Sequence, residues 1–176
     1  MDLIEGESLL DFVKSFPDRK LEEIKCKVIF QQIIEGIFYL HEKNIFHRDI
    51  KLENIIIKNK IDIKIIDFGF GACSPRNKLL NFFCGTPSYM PPEIVLKKDY
   101  LGEYADIWSI GILLYTILCG SFPFRGIFFI FIFFLFMLAF SEKDLYNKIT
   151  KGNYNIPEYL SLEAKNILQK LLTFNP

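Results

Sequence analysis

The chain has 176 residues, enough for one domain with a substantial core. Its 21 Lys and Arg balance 21 Asp and Glu, so composition carries no nucleic-acid footprint and no nucleic-acid partner is expected. The four cysteines (Cys26, Cys73, Cys84, Cys119) are too scattered for a zinc site or a disulfide framework, and the acidic start MDLIEGES lacks the basic and apolar regions of a signal peptide. The expectation is a reduced, cytoplasmic, soluble monomer.

In chain order, SLLDFVKSFPD reads as a short amphipathic helix stopped near Pro17. From Lys20 to Lys43, Leu21, Ile24, Val28, Ile33, Ile37 and Leu40 recur at helical steps, which predicts a long helix with those residues on its buried face. Two β-branched runs follow, 54–58 and 61–67, separated by Asn59-Lys60. In the second, Ile61, Ile63 and Ile65 alternate with Asp62 and Lys64, so the pair predicts a hairpin with one face buried. Residues 68–103 are rich in Gly, Pro, Ser and Asn and read as a long ordered loop, a length that is usually functional.

The stretch 104–120, YADIWSIGILLYTILCG, is apolar nearly all round and predicts a helix buried on every side that ends at Gly120. Ser141 with Asp144 resembles a capping box opening the next helix, and Ser161 opens a last amphipathic one. The fold class is therefore mainly α, with one small β-hairpin carrying polar residues at its ends.

Between Gly120 and Ser141 lies an anomaly. Fourteen consecutive apolar residues, Ile127 to Phe140, hold seven of the 19 phenylalanines. As a helix they reach only about 21 Å, short of a bilayer core of roughly 30 Å. Removing Ile127 to Ala139 leaves the unremarkable junction PFRG–FSEKDLYNKITKG, and Phe, Ile and Leu have U-rich codons. The run at 127–139 reads as a short AT-rich intron translated into protein. A membrane-seeking or partner-binding insertion and a core element are the alternatives, and membrane association is expected only if 127–140 is retained.

The chemistry concentrates elsewhere. HRDIKLEN (47–54) puts six polar residues between apolar runs, where polar groups are costly unless paired or used. The second strand ends in IDFG, placing Asp67 where Gly69 allows a sharp turn. Asp49, Asn54 and Asp67 thus share one hairpin and offer oxygens suited to Mg²⁺. A free carboxylate there could accept a hydroxyl proton, and Lys51 could balance phosphate charge. Taken singly, His47 reads as a core histidine and His41 as exposed. Taken together, H-R-D-x-K-x-x-N, then D-F-G thirteen residues after Asn54, then G-T-P-x-Y-x-x-P-E at 85–93 form an ordered set.

On those motifs the chain resembles the large C-terminal lobe of a eukaryotic Ser/Thr protein kinase, and LLYTILCGSFPF is closest in flavour to the calmodulin-dependent and AMP-activated group. The resemblance covers 1–176 apart from 127–139, as a partial domain running from the hinge to the start of the last lobe helices. It implies a protein substrate with a Ser or Thr acceptor, with ATP and Mg²⁺ as cofactors. Asp49 would be the catalytic base, Lys51 the neutraliser of the transferring phosphate, and Asn54 and Asp67 the Mg²⁺ ligands. Thr86 would bridge Asp49 and Lys51, and Asp106 would brace the loop backbone. Met1 falls on the gatekeeper, Asp2 to Ile4 on the adenine-gripping hinge, Ser8 beside the nucleotide, and Ile56 on the floor under adenine.

The chain departs from that family at four points. It begins at the hinge, so the N-terminal β lobe with its glycine-rich loop is absent and this chain alone is expected to be nearly inactive. Phe82 stands where a phosphorylatable threonine is common, leaving Arg48 without a phosphate partner unless Ser74 or another residue substitutes. Ser8 replaces a glutamate frequent in basophilic relatives. Glu93 lacks the arginine that usually follows the present C-terminus. A non-catalytic kinase-like scaffold and a membrane-associated fragment are the competing functions.

Overall fold

The computed structural model describes residues 4–125 and 134–174. About half of the described residues are helical, and they include two small antiparallel sheets. Helix α4 (Gly102–Cys119) is buried without a break from Trp108 to Leu118, as its all-round apolar sequence predicts. It stops where Gly120 turns left-handed (φ 70°) and its N–H caps Thr116 O at 2.9 Å. Around it pack α2 (Glu23–Glu42) and α6 (Leu162–Leu171). The close approach of α6 explains Gly111, where a Cβ would meet Leu172 Cδ2 at 2.8 Å.

The expected hairpin is present. β3 (Ile55–Lys58) pairs antiparallel with β4 (Asp62–Ile65), with Ile55 opposite Ile65 and Ile57 opposite Ile63. Asn59 and Lys60 both take left-handed φ values, 52° and 66°, which suit the twist of a tight hairpin. Ile61 is exposed rather than part of the buried face, because it belongs to the turn and not to the strand. A third strand, β1 (Glu7–Ser8), adds to β3 and leads directly into α1 (Leu9–Lys14), which ends before the 3₁₀ turn at Pro17–Arg19. A second sheet joins β2 (Ile45–Phe46) to β5 (Ala72–Cys73). The loop between β4 and α4 is ordered by β5, a 3₁₀ turn at Pro87–Tyr89 and the single-turn helix α3 (Pro92–Val95).

Three further expectations are corrected. Helix α2 buries Cys26, Ile29, Phe30, Ile33, Ile37 and His41, whereas Ile24 and Val28 are 80% and 47% exposed. Both stripes have helical spacing. The buried one keeps it through His41, which an apolar-only count skips. Leu21 is buried but precedes the helix, its N–H held by Ile117 O at 2.8 Å. Helix α5 runs Phe134–Lys151, so it does not open at a Ser141 cap. The apolar backbone upstream continues the helix, and Asp144 pairs instead with Lys148 at 3.0 Å. The apolar run expected as an insertion lies outside the described residues up to position 133. Among the described residues no helix is long and apolar enough to cross a membrane. The third correction, His41, belongs with the site.

The corrected face of α2 is directly testable. Ile29→Ala should cost about 2–5 kcal/mol by loss of buried surface and cavity formation. Ile24→Ala should stay within about 0.5 kcal/mol. Urea midpoints measure both, and equal losses would reverse the assignment.

Candidate active site

Residues 47–54 leave β2 and enter β3 through a 3₁₀ turn at Leu52–Asn54. β5 returns alongside β2, so the loop is framed by both sheets. Its backbone is fixed by one side chain from α4. Asp106 Oδ2 accepts the His47 N–H at 2.9 Å, and Oδ1 accepts the Arg48 N–H at 2.7 Å. The third donor on this fully buried carboxylate is His41 Nε2, at 2.8 Å. His41 is therefore buried, not exposed as the sequence suggested: it continues the Ile33–Ile37 stripe one helical turn on.

His47 links the loop to the strand end that carries Asp67. Its Nε2 lies 2.9 Å from Ile66 O, and its Nδ1 accepts the Asp49 N–H at 3.3 Å. The tautomer with its proton on Nε2 satisfies both bonds. Its ring lies 4.8 Å from that of Phe68.

The polar cluster closes around Asp49, which is 5% exposed. Asp49 Oδ1 accepts from Thr86 Oγ1 at 2.8 Å and from Thr86 N at 3.0 Å. Asp49 Oδ2 accepts from Lys51 Nζ at 2.7 Å and from Asn54 Nδ2 at 3.3 Å. Lys51 Nζ also donates to Thr86 Oγ1 at 3.0 Å, and Asn54 Nδ2 to Asp49 O at 2.9 Å. Burial alone would raise the Asp49 carboxyl. The hydrogen bonds from Lys51 and Thr86, with the lysine's charge, outweigh it and hold the group below the usual carboxylate range.

Asp67 sits apart from this ring. It is exposed, takes a left-handed φ of 63°, and its Oδ1 accepts the Gly69 N–H at 3.2 Å. Ser8 and Ile56 are register partners across β1 and β3, and the Ser8 Oγ is engaged with Asp11 as the cap of α1. Ile4 is exposed, while Met1 and Asp2 lie outside the described residues. Arg48 donates to Phe70 O at 2.6 Å, and Ser74 is buried with its N–H on Asn44 O. Burial pushes the Glu93 carboxyl up, beside a cavity of about 160 Å³ that Trp108 and Lys170 help to line.

Sequence reasoning missed three contributors. His41 was discoverable from its helical spacing. Tyr89, whose hydroxyl receives the Leu52 N–H at 3.3 Å, and Tyr100, which reaches Arg48, come from the long loop, where no periodicity marks a contact.

Residues 1–176 match the family model described as the protein kinase domain. The chain is 39% identical over 182 residues to CBL-interacting serine/threonine-protein kinase 1 of Arabidopsis thaliana, covering all of this chain and 37% of that protein. It is 38% identical over 180 residues to CBL-interacting protein kinase 21 of Oryza sativa, again over the whole chain and 31% of the relative. It thus spans only about a third of the length of these curated relatives.

The Asp49 network sets a pH dependence. A carboxyl depressed in the folded state stabilises fully above its unfolded pKa of about 3.9, and that stability is lost as pH falls through the lower folded value. Asp49→Asn should therefore flatten the acid limb of a stability-versus-pH curve below about pH 4. Thermal melts of both proteins from neutral pH to pH 2 measure this, and parallel curves would remove Asp49 as a contributor.

Proposed function

Because the chain belongs to the protein kinase family, with serine/threonine kinases among its relatives, we propose that it transfers the γ-phosphate of ATP to a Ser or Thr hydroxyl of a protein substrate. The observation that carries this reading is the closed ring of Asp49, Lys51, Thr86 and Asn54. A structural ion pair needs no second carboxylate nearby, yet the hairpin delivers Asp67 to the adjacent strand end. In this reading the described residues, 4–125 and 134–174, belong to the large lobe. Ile4, Ser8 and Ile56 would lie beside the nucleotide.

The donor chemistry fits Mg²⁺. Among the described residues no group of three or more His, Cys, Asp or Glu could hold a metal unaided. Magnesium favours one or two protein oxygens and completes its octahedron with phosphate oxygens and water. Asn54 commits its Nδ2 to Asp49, which leaves Oδ1 as its metal-binding atom. Asp67 supplies a carboxylate. The bound ion would neutralise charge on the phosphates.

Asp49 orients the acceptor hydroxyl and takes its proton as the new O–P bond forms and the bond from the γ-phosphorus to the bridging oxygen breaks, releasing ADP. Lys51, already within reach of Asp49 and Thr86, places its charge beside the transferring group. Thr86 keeps the carboxylate and the ammonium in register.

Incubation of the full-length protein with Mg²⁺ and γ-labelled ATP tests the reading. Ser and Thr peptides should be labelled and a Tyr peptide should not. Asp49→Asn should lower the rate by about 10²-fold or more, and chelation of Mg²⁺ should abolish it. Unchanged labelling by Asp49→Asn would sink the assignment. Nucleotide binding with no transfer would favour a scaffold.

A further inference from the structure

We propose that Tyr100 is a positioning residue for this site: with the Arg48 guanidinium it fastens the segment that delivers Thr86 to Asp49, and no phosphate takes part in the fastening. The inference rests on the kinase reading and concerns how one wall of that site is assembled.

Tyr100 is 2% exposed and grips the segment in two ways. Its backbone forms a two-bond antiparallel bridge with Leu80: Leu80 N donates to Tyr100 O at 2.8 Å, and Tyr100 N to Leu80 O at 3.0 Å. Its hydroxyl donates to Phe82 O at 2.9 Å and accepts from Arg48 Nη1 at 3.3 Å. Burial raises the phenol, so it stays protonated and able to donate at neutral pH. Two residues beyond Phe82 the chain enters the interior at Cys84, turns at Gly85 (φ 118°) and reaches Thr86. A Cβ at position 85 would lie 3.0 Å from Arg48 O, so the segment rests directly on the loop.

Arg48 joins the two sides. Its N–H is on Asp106, its Nε on Phe70 O at 2.6 Å, and its Nη1 also lies 3.5 Å from Phe82 O. Its guanidinium lies 5.7 Å from the centre of the Phe82 ring. Two carbonyls, a phenol oxygen and an aromatic face therefore surround this cation, all supplied by the chain itself. Phe82, 61% exposed, has no hydroxyl to modify, so its carbonyl and ring are what position 82 offers Arg48.

The test uses dephosphorylated full-length protein and amide hydrogen exchange without nucleotide, so it reads whether or not phosphate transfer is detected. Tyr100→Phe should speed exchange across 80–86 by about tenfold and leave the α4 peptide 108–118 unchanged. In the transfer assay it should raise the peptide KM or lower kcat while the ATP KM holds. Phosphatase treatment of the unaltered protein should change neither. Unaltered protection at 80–86 in Tyr100→Phe would overturn the proposal. So would loss of protection throughout α4, which would make Tyr100 a core residue, or exposure of 80–86 by phosphatase alone. Absence of transfer with the exchange result intact would fault the kinase reading and spare Tyr100.

Discussion

A single carboxylate with no solvent contact, Asp106, holds the site in place. A buried carboxylate without hydrogen-bond donors is strongly destabilising, so its three donors form a set in which each is needed. Two of them are backbone N–H groups at the head of the 47–54 loop. The third, His41, comes from a different helix. The bonds thus tie α2, α4 and the loop at one point. Because Asp106 lies just ahead of the stretch of α4 that is buried without a break, Trp108 to Leu118, that point is held close to the core. The loop needs such an anchor, since residues between short strands have few sheet hydrogen bonds of their own.

From that anchor the electrostatics of the cluster follow. Asp49 is as buried as many apolar side chains, yet both its oxygens accept hydrogen bonds, the Asn54 contact at 3.3 Å being the longest of them. Charged hydrogen bonds strengthen in a low-dielectric setting, provided none is left unmade. Thr86 matters here because its one hydroxyl accepts from the lysine and donates to the aspartate. It is 37 residues away from Asp49 in sequence, so the ring closes only where the long loop has folded back to bring Thr86 to Asp49 and Lys51.

What could be read in advance sorts by the range of the interaction. The all-round apolar helix, the hairpin and the Ser161 cap depend on neighbours within a few residues, and each appears in the structure. The face of α2 was misread because Ile24 and Val28 have the same helical spacing as Ile29 and Ile33, and only tertiary packing chooses between two such stripes. β1 is two residues long, below any periodicity, and is specified by its partner β3. The Ser141 cap failed for a related reason: a local motif cannot start a helix that already continues from upstream. In the site, Asp49, Lys51 and Asn54 were marked by motif spacing, and Thr86 and Asp106 by the family resemblance. His41, Tyr89 and Tyr100 act through contacts between distant segments that no spacing records.

The backbone carries a further sign of what the anchoring is for. Arg48 and Asp67, one at the head of the loop and one at the strand end facing it, both hold left-handed φ angles, 65° and 63°. For a residue with a side chain this conformation costs of order 1–2 kcal/mol, and it persists only where surrounding contacts over-determine it. At Arg48 those contacts are the bond from its N–H to Asp106 and the guanidinium bonds to Phe70 and Tyr100. At Asp67 they are the turn bond to Gly69 and the His47 bond to the preceding carbonyl. Relaxing either residue would redirect the chain next to Asp49 and move the Asp67 carboxylate or the Arg48 guanidinium from its present place. Six other non-glycine residues share this conformation, Asn59 and Lys60 of the hairpin turn among them; what sets Arg48 apart is that the buried Asp106 network holds its N–H and so opposes relaxation at the head of the loop.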